Sequence, residues 1–227
     1  MATEKKFVHK AINDFEVKHF LETKLERAGV SSITIQRTPI ATRITLEVQK
    51  PGIVVGKRGT AIDELAAELK QFGIDNPQIE VIEVAVPALD SKLIAHRIAK
   101  SIELRGNVKQ SMRIALREIM GAGALGAEIR VAGKIVGKGG KAKTITVRSG
   151  FLKKSGELMK LVREAAFTTY PKAGAIGIRV KILPPGTKMP DKLVLPPEKP
   201  PVEALKQEEA AKPEEAPAPV EEKPAPV

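Results

Sequence analysis

The segment Ile53-Val54-Val55-Gly56-Lys57-Arg58-Gly59-Thr60 constrains this chain more than any other. Ile44, Leu46 and Val48 alternate before it, and Ile79 and Val81 alternate after it, as strands do. Between the loop and the second run, Ile62, Leu65, Ala66 and Leu69 fall at helical spacing. Thr60 is placed to cap that helix, with Asp63 at the reciprocal position, and Gly73 stops it. The order is therefore strand, short apolar helical turn, glycine loop, helix, strand. Two glycines permit positive φ and close approach of a partner to the backbone. Lys57 and Arg58 project between them, and the helix start aims free N–H groups at the same place. Such a loop suits a sugar-phosphate backbone. The alternative is an ordinary helix–helix turn that uses glycine for tightness.

The flanking segments have their own periods. Val17, Phe20, Leu21, Leu25 and Ala28 predict a helix capped at Asn13 or Asp14 and ended by Gly29. Ile33 and Ile35 alternate as a strand, and Pro39 breaks the run. After Ile79 and Val81 the phase slips to Val84 and Val86, which suggests a bulge. Pro87 opens a linker. Asp90 or Ser91 then caps a helix with Ile94, Ile98 and Ile102 on one face, ended by Gly106-Asn107. A second helix spans about 108 to 121, with Val108, Met112, Ala115, Leu116, Ile119 and Met120 as its apolar face. The period then changes to two at 127–131, 144–148 and 176–182, as in a half-exposed antiparallel sheet. Residues 155–170 are ambiguous: Leu158, Leu161, Val162, Ala165 and Ala166 fit a helix, leading into a short strand at Phe167-Thr168-Thr169-Tyr170.

The charge is as uneven as the period. The 227 residues carry a net charge of +11, and residues 105–163 alone hold 14 Lys and Arg against 3 Asp and Glu. A block of that kind implies a polyanionic partner, and nucleic acid fits better than a membrane. With cysteine absent, disulfides, thiolate metal sites and a cysteine nucleophile are excluded. With 3% aromatic residues, base stacking cannot be the main mode of recognition. No apolar run approaches the ~18 residues a membrane helix needs, and the N-terminus has no apolar signal segment. The chain therefore reads as soluble and intracellular. From residue 184 onward lie 12 of the 17 prolines, with repeated Ala, Glu and Lys, which predicts an extended or disordered tail.

Within the basic block, Lys109, Arg113 and Arg117 recur every four residues as one stripe beside the apolar face of the second helix. A solvated face usually mixes signs, so the stripe points to an anionic partner. Gly137-Lys138-Gly139-Gly140 imitates the first glycine loop, but a strand pattern follows it, so it reads as a basic hairpin turn. Lys134, Lys138, Lys141, Lys143 and Arg148 are its candidate phosphate contacts. Gly121-Ala122-Gly123-Ala124-Leu125-Gly126 matches a dinucleotide fingerprint by letter, yet a helix precedes it and a strand follows, the reverse of the required order. His9, His19 and His96 lack metal-ligand spacing, and no acid–base or nucleophilic constellation stands out. No metal, cofactor or enzymatic activity is expected.

The series of helix, two strands, Ile-Val-Val-Gly-Lys-Arg-Gly, helix and strand resembles a type II KH domain, whose GXXG loop clamps about four nucleotides. Gly56, Lys57, Arg58 and Gly59 match that clamp. The remainder is similar to the C-terminal domain of the universal small-subunit ribosomal protein S-three family. Met112-Arg113-Ile114-Ala115, Gly123-Ala124-Leu125-Gly126-Ala127-Glu128-Ile129, Phe167-Thr168-Thr169-Tyr170 and the run from Gly174 to Ile182 carry that likeness. The acidic Pro/Ala tail looks archaeal.

The resemblance implies an α+β protein. It expects a KH domain at 1–86, with helices on one face of a mixed three-stranded sheet. It expects a domain of two helices on a four-stranded antiparallel sheet at 87–183, and a tail at 184–227. It also turns 161–170 into a strand paired with 175–183, against the local helical period. It implies a cytoplasmic constituent of the small-subunit head that binds rRNA and helps form the mRNA entry channel. Lys109 and Arg113 match the channel-lining cations, and Gln110 stands where the bacterial pattern has another. Implied partners are rRNA, mRNA and the neighbouring S-ten and S-fourteen families, with no membrane and no homo-oligomer. The other classes open at this point are a free KH-domain regulator and a nuclease or lyase. Such a regulator would usually carry repeated clamps, and such an enzyme a catalytic constellation.

Overall fold

A computed structural model describes residues 3–38, 41–74, 76–135, 140–172 and 174–187. Helix α1 spans Thr3–Lys24, followed by strands β1, Val30–Arg37, and β2, Thr42–Val48. The one-turn helix α2, Pro51–Val55, leads through the glycine loop to α3, Thr60–Gln71, and β3, Pro77–Glu83. β1 pairs antiparallel with β2, and β2 pairs parallel with β3, so the α2–α3 segment is the crossover of a parallel unit. On β2, Thr42, Ile44, Leu46 and Val48 are buried while Arg43 and Glu47 are exposed, so the sheet buries one face. Val17 and Leu21 of α1, Leu25 just after it, Val54 of α2, and Leu65 and Leu69 of α3 pack into the same core as Ile44 and Leu46.

A second sheet follows two more helices, α4 at Ser91–Arg105 and α5 at Val108–Gly121. Its strands are β4, Gly126–Gly133; β5, Lys143–Gly150; β6, Arg163–Thr169; and β7, Ile176–Leu183. The order is β5-β4-β7-β6, antiparallel throughout. α4 lies over β6 and β7, and α5 over β4 and β5. Ile94, Ile98 and Ile102 meet Met112, Ile119, Ile129 and Ile178 in one core. Asp90 caps α4, its carboxylate accepting the Lys92 amide proton at 3.0 Å, which decides between the two candidate caps. Gly126 must be glycine, because a Cβ there would overlap the backbone of Phe151.

Four local expectations need correction. α1 begins at Thr3, not at Asn13 or Asp14. Asp14 instead sits within the helix, and its carboxylate pairs with Arg37 at 2.6 Å. Thr60 is not an accepting cap: its hydroxyl donates to the Lys57 carbonyl at 3.1 Å, and Gly59 holds the cap position. The phase slip after Val81 is the end of β3 at Glu83 and not a bulge, although the Val84 amide still donates to the Val48 carbonyl at 3.0 Å. The helical period of 155–166 yields to a 3-10 turn at Glu157–Leu161 and then to β6. β6 gains a full ladder with β7 and packs Ala165 and Phe167 on the core, which outweighs local helix propensity. Residues 188–227 of the expected tail lie outside the described residues.

Candidate nucleic-acid interface

The glycine loop takes a conformation that few sequences can. Gly56 ends α2 with φ 72 and ψ −172, and a Cβ there would stand 2.7 Å from the Ala61 Cβ. Only glycine fits. Arg58 has φ 57 and ψ 25, a left-handed conformation that costs a non-glycine residue roughly 1–2 kcal/mol. Gly59 follows with φ 85 and stands at the start of the 12-residue helix α3. Lys57 and Arg58 are both exposed. Two cations are thus presented beside a helix N-terminus, where amides and dipole favour an anion.

The structure adds two residues that the sequence reading had treated as part of an apolar turn. Only Val54 of α2 is buried; Ile53 and Val55 are 47% and 37% exposed beside the loop. A one-turn helix cannot turn three consecutive side chains to the core, and that was the available signal.

On α5, Val108, Ser111, Met112, Ala115, Leu116 and Ile119 are buried, and Lys109, Arg113 and Arg117 are all exposed. Asn107 caps the helix, its side chain accepting the Gln110 amide proton at 3.4 Å. Glu118, the one carboxylate on the helix, is bonded by Arg97 of α4. Among the described residues the three stripe cations have no ion-pair partner.

The second glycine segment joins β4 to β5, which pair as a hairpin, and no helix follows it. Lys134, Lys141 and Lys143 are exposed at that end of the hairpin. Lys138 lies outside the described residues. Arg148 is exposed but stands five residues beyond Lys143 on β5, opposite Glu128, about 17 Å along the strand. It does not group with the lysines of the hairpin end. Glu128 is also bonded by Lys154 at 2.7 Å, and that contact holds its carboxyl below the ordinary range, with Arg148 and Lys181 adding to the effect. The fingerprint-like Gly121–Gly126 run passes from α5 into β4, helix before strand. Among the described residues no three His, Asp or Glu side chains gather as a metal site. His96 packs against Phe167 with the rings tilted by 48° and their centroids 4.4 Å apart.

Two family models match the chain. Residues 16–89 match the KH domain, and residues 98–182 match the C-terminal domain of ribosomal protein S3. Small ribosomal subunit protein uS3 of Methanocorpusculum labreanum is 38% identical over 193 residues, which is 84% of this chain and 83% of that protein. The chain belongs to the uS3 family. The uS3 protein of Methanobrevibacter smithii is 38% identical, covering 86% of this chain and 78% of its own. That of Methanoculleus marisnigri is 37% identical over 214 residues, covering 92% and 91%. Membership in the uS3 family agrees with the resemblance read from the glycine loop and from the strand pattern after residue 122, and with its archaeal character.

Proposed function

We propose that this chain is a structural constituent of the small ribosomal subunit head, acting with cytoplasmic ribosomes rather than as an enzyme. It binds small-subunit rRNA and helps form the mRNA entry channel, with neighbours of the S-ten and S-fourteen families. The RNA-binding module is residues 1–86, the channel-lining module 87–183, and residues 184–227 a tail. Gly56, Lys57, Arg58 and Gly59 hold a sugar-phosphate backbone through amides and two cations. Lys109 and Arg113, with Arg117 behind them, face the mRNA path and hold its phosphates. Lys134, Lys138, Lys141 and Lys143 supply further phosphate contacts.

The observation that supports this reading best is the α5 stripe. Three exposed cations repeat at helical spacing without a carboxylate partner among the described residues, at a cost of a few tenths of a kcal/mol per like-charged pair. RNA phosphates relieve that repulsion, and a merely solvated face does not require it.

The test is a gradient sedimentation of extract from cells that carry the tagged full chain. The chain should travel with small subunits, and photo-crosslinking from position 113 should capture mRNA. A chain found mainly in the light fractions, bound to free transcripts, would instead be a KH-domain regulator.

A further inference from the structure

The four-stranded sheet has a second face, away from α4 and α5. Beyond the end row of Gly150, Gly126 and the buried Leu183, the register sorts its side chains into three rows across the strands. Arg148, Glu128, Lys181 and Glu164 form one row of alternating sign. It is largely self-neutralised, with Lys181 bonded to Glu164 at 3.0 Å and Lys154 to Glu128 at 2.7 Å. The next row reads Thr146, Arg130, Arg179, Ala166. The last reads Thr144, Ala132, Gly177, Thr168 and has neither charge nor bulk.

Arg130 and Arg179 are therefore direct partners on adjacent strands, and both are exposed. Like charges opposite one another weaken a sheet. Arg179 has only a share in Glu164, at 3.3 Å, because Lys181 holds the same carboxylate. Arg130 has no ion pair or hydrogen bond among the described residues. Beside the pair, the row of small residues floors a shallow depression of about 320 Å³, lined by Arg130, Ala132, Ala166, Thr168, Gly177 and Arg179, with Phe167 and Ile178 also at its wall. Two guanidinium forks thus rise at the edge of a flat, open floor with threonine hydroxyls around it.

We propose that this outer face binds the phosphodiester backbone of double-helical RNA, with Arg130 and Arg179 each holding a phosphate. The proposal rests on the RNA-binding reading above but uses a face of the sheet opposite the one that carries α5. Guanidinium forks match phosphate oxygens, and hydroxyls complete such contacts. The three rows carry guanidinium, hydroxyl and small side chains and no aromatic ring, so the contacts they offer are to phosphate and sugar. The exposed side chains of these three rows include no large apolar anchor of the kind that protein interfaces bury at their centre. A broad, flat floor edged by two guanidinium groups suits a helix read by shape and phosphate.

The experiment uses the full chain and its R130T/R179T variant, with a blunt-ended RNA duplex of arbitrary sequence and a single-stranded oligonucleotide as probes. Threonine keeps strand propensity, and removing a like-charge pair leaves the melting temperature level or slightly higher. The variant should bind the duplex about tenfold more weakly at 0.1 M salt, and its log–log salt slope should flatten by about two units. Single-strand affinity should stay within twofold of the parent. R130K/R179K should keep the slope, because it keeps both charges. A folded R130T/R179T variant with the parental duplex slope overturns the proposal and leaves the face to an acidic protein surface. If the parent binds neither probe, it is the RNA-binding reading itself that fails.

Discussion

Arg97 of α4 bonds the carboxylate of Glu118 on α5, and so the only acid on the basic helix is held toward its neighbour helix. Lys109, Arg113 and Arg117 are left without a counter-charge within the described residues. Replacing all three with alanine should leave stability nearly unchanged, since alanine is the best helix former and none of the three is buried. RNA affinity of the full chain should fall, with the salt slope flatter by about two to three units. Anisotropy titrations at several salt concentrations would check this; an unchanged slope removes the phosphate contacts from α5.

The two stripes of α5 explain why the helix and its exposed cations were legible in the sequence. One helix carries a buried stripe and a charged stripe at the same period, so both show in a single 3.6-residue pattern. The alternation of β4, β5 and β7 was equally plain, because one face of each strand is covered by helices. β6 was not, since Leu158, Leu161, Val162, Ala165 and Ala166 carry a helical period that only pairing with β7 overrides. The left-handed backbone of Arg58 leaves no mark in composition. Nor does the meeting of Arg130 with Arg179, which depends on the register of strands far apart in the chain. The first ten residues of α1 were missed for another reason: Phe7, Val8 and Ile12 are exposed, so no buried stripe announces a helix there.

Burial separates two isoleucine- and leucine-sized side chains of the second half. Ile178 is 2% exposed in the core, and Leu104 is 76% exposed on α4. Ile178→Ala should cost about 2–5 kcal/mol through lost transfer and an unfilled cavity. Leu104→Ala should stay within about 0.5 kcal/mol. Urea unfolding curves decide the matter, and equal effects would mean that Leu104 is covered.

Glu128 provides a pH signature. Its carboxyl is held below its ordinary value of 4.5, chiefly by the bond from Lys154. A carboxylate with a depressed folded-state pKa stabilises the fold above its unfolded pKa. That contribution disappears as pH falls through the folded value. The parent should therefore lose stability below about pH 4.5 more steeply than K154M, in which the main cause of the shift is gone. Thermal melts from pH 7 down to pH 3 would show the two acid limbs, and coincident limbs would exclude the linkage.

The two glycines of the loop should respond differently to substitution. Gly56 combines φ 72 and ψ −172 with a neighbour 2.7 Å from any added Cβ, so G56A meets both backbone strain and a clash with Ala61. Strain of this kind costs about 1–3 kcal/mol, and the start of α3 must shift to accept the methyl. Gly59 has φ 85 and ψ 0, and a Cβ there would meet nothing within 4 Å. Asparagine tolerates left-handed backbone and serves at helix N-caps, so G59N should cost less than about 1 kcal/mol. Single-strand RNA binding should follow the same order, since G59N leaves the placement of Lys57 and Arg58 intact while G56A moves it. A G56A variant that melts like the parent and binds like it would mean that the loop reaches its conformation without glycine at this position. The left-handed Arg58 would then no longer depend on the turn that Gly56 makes before it.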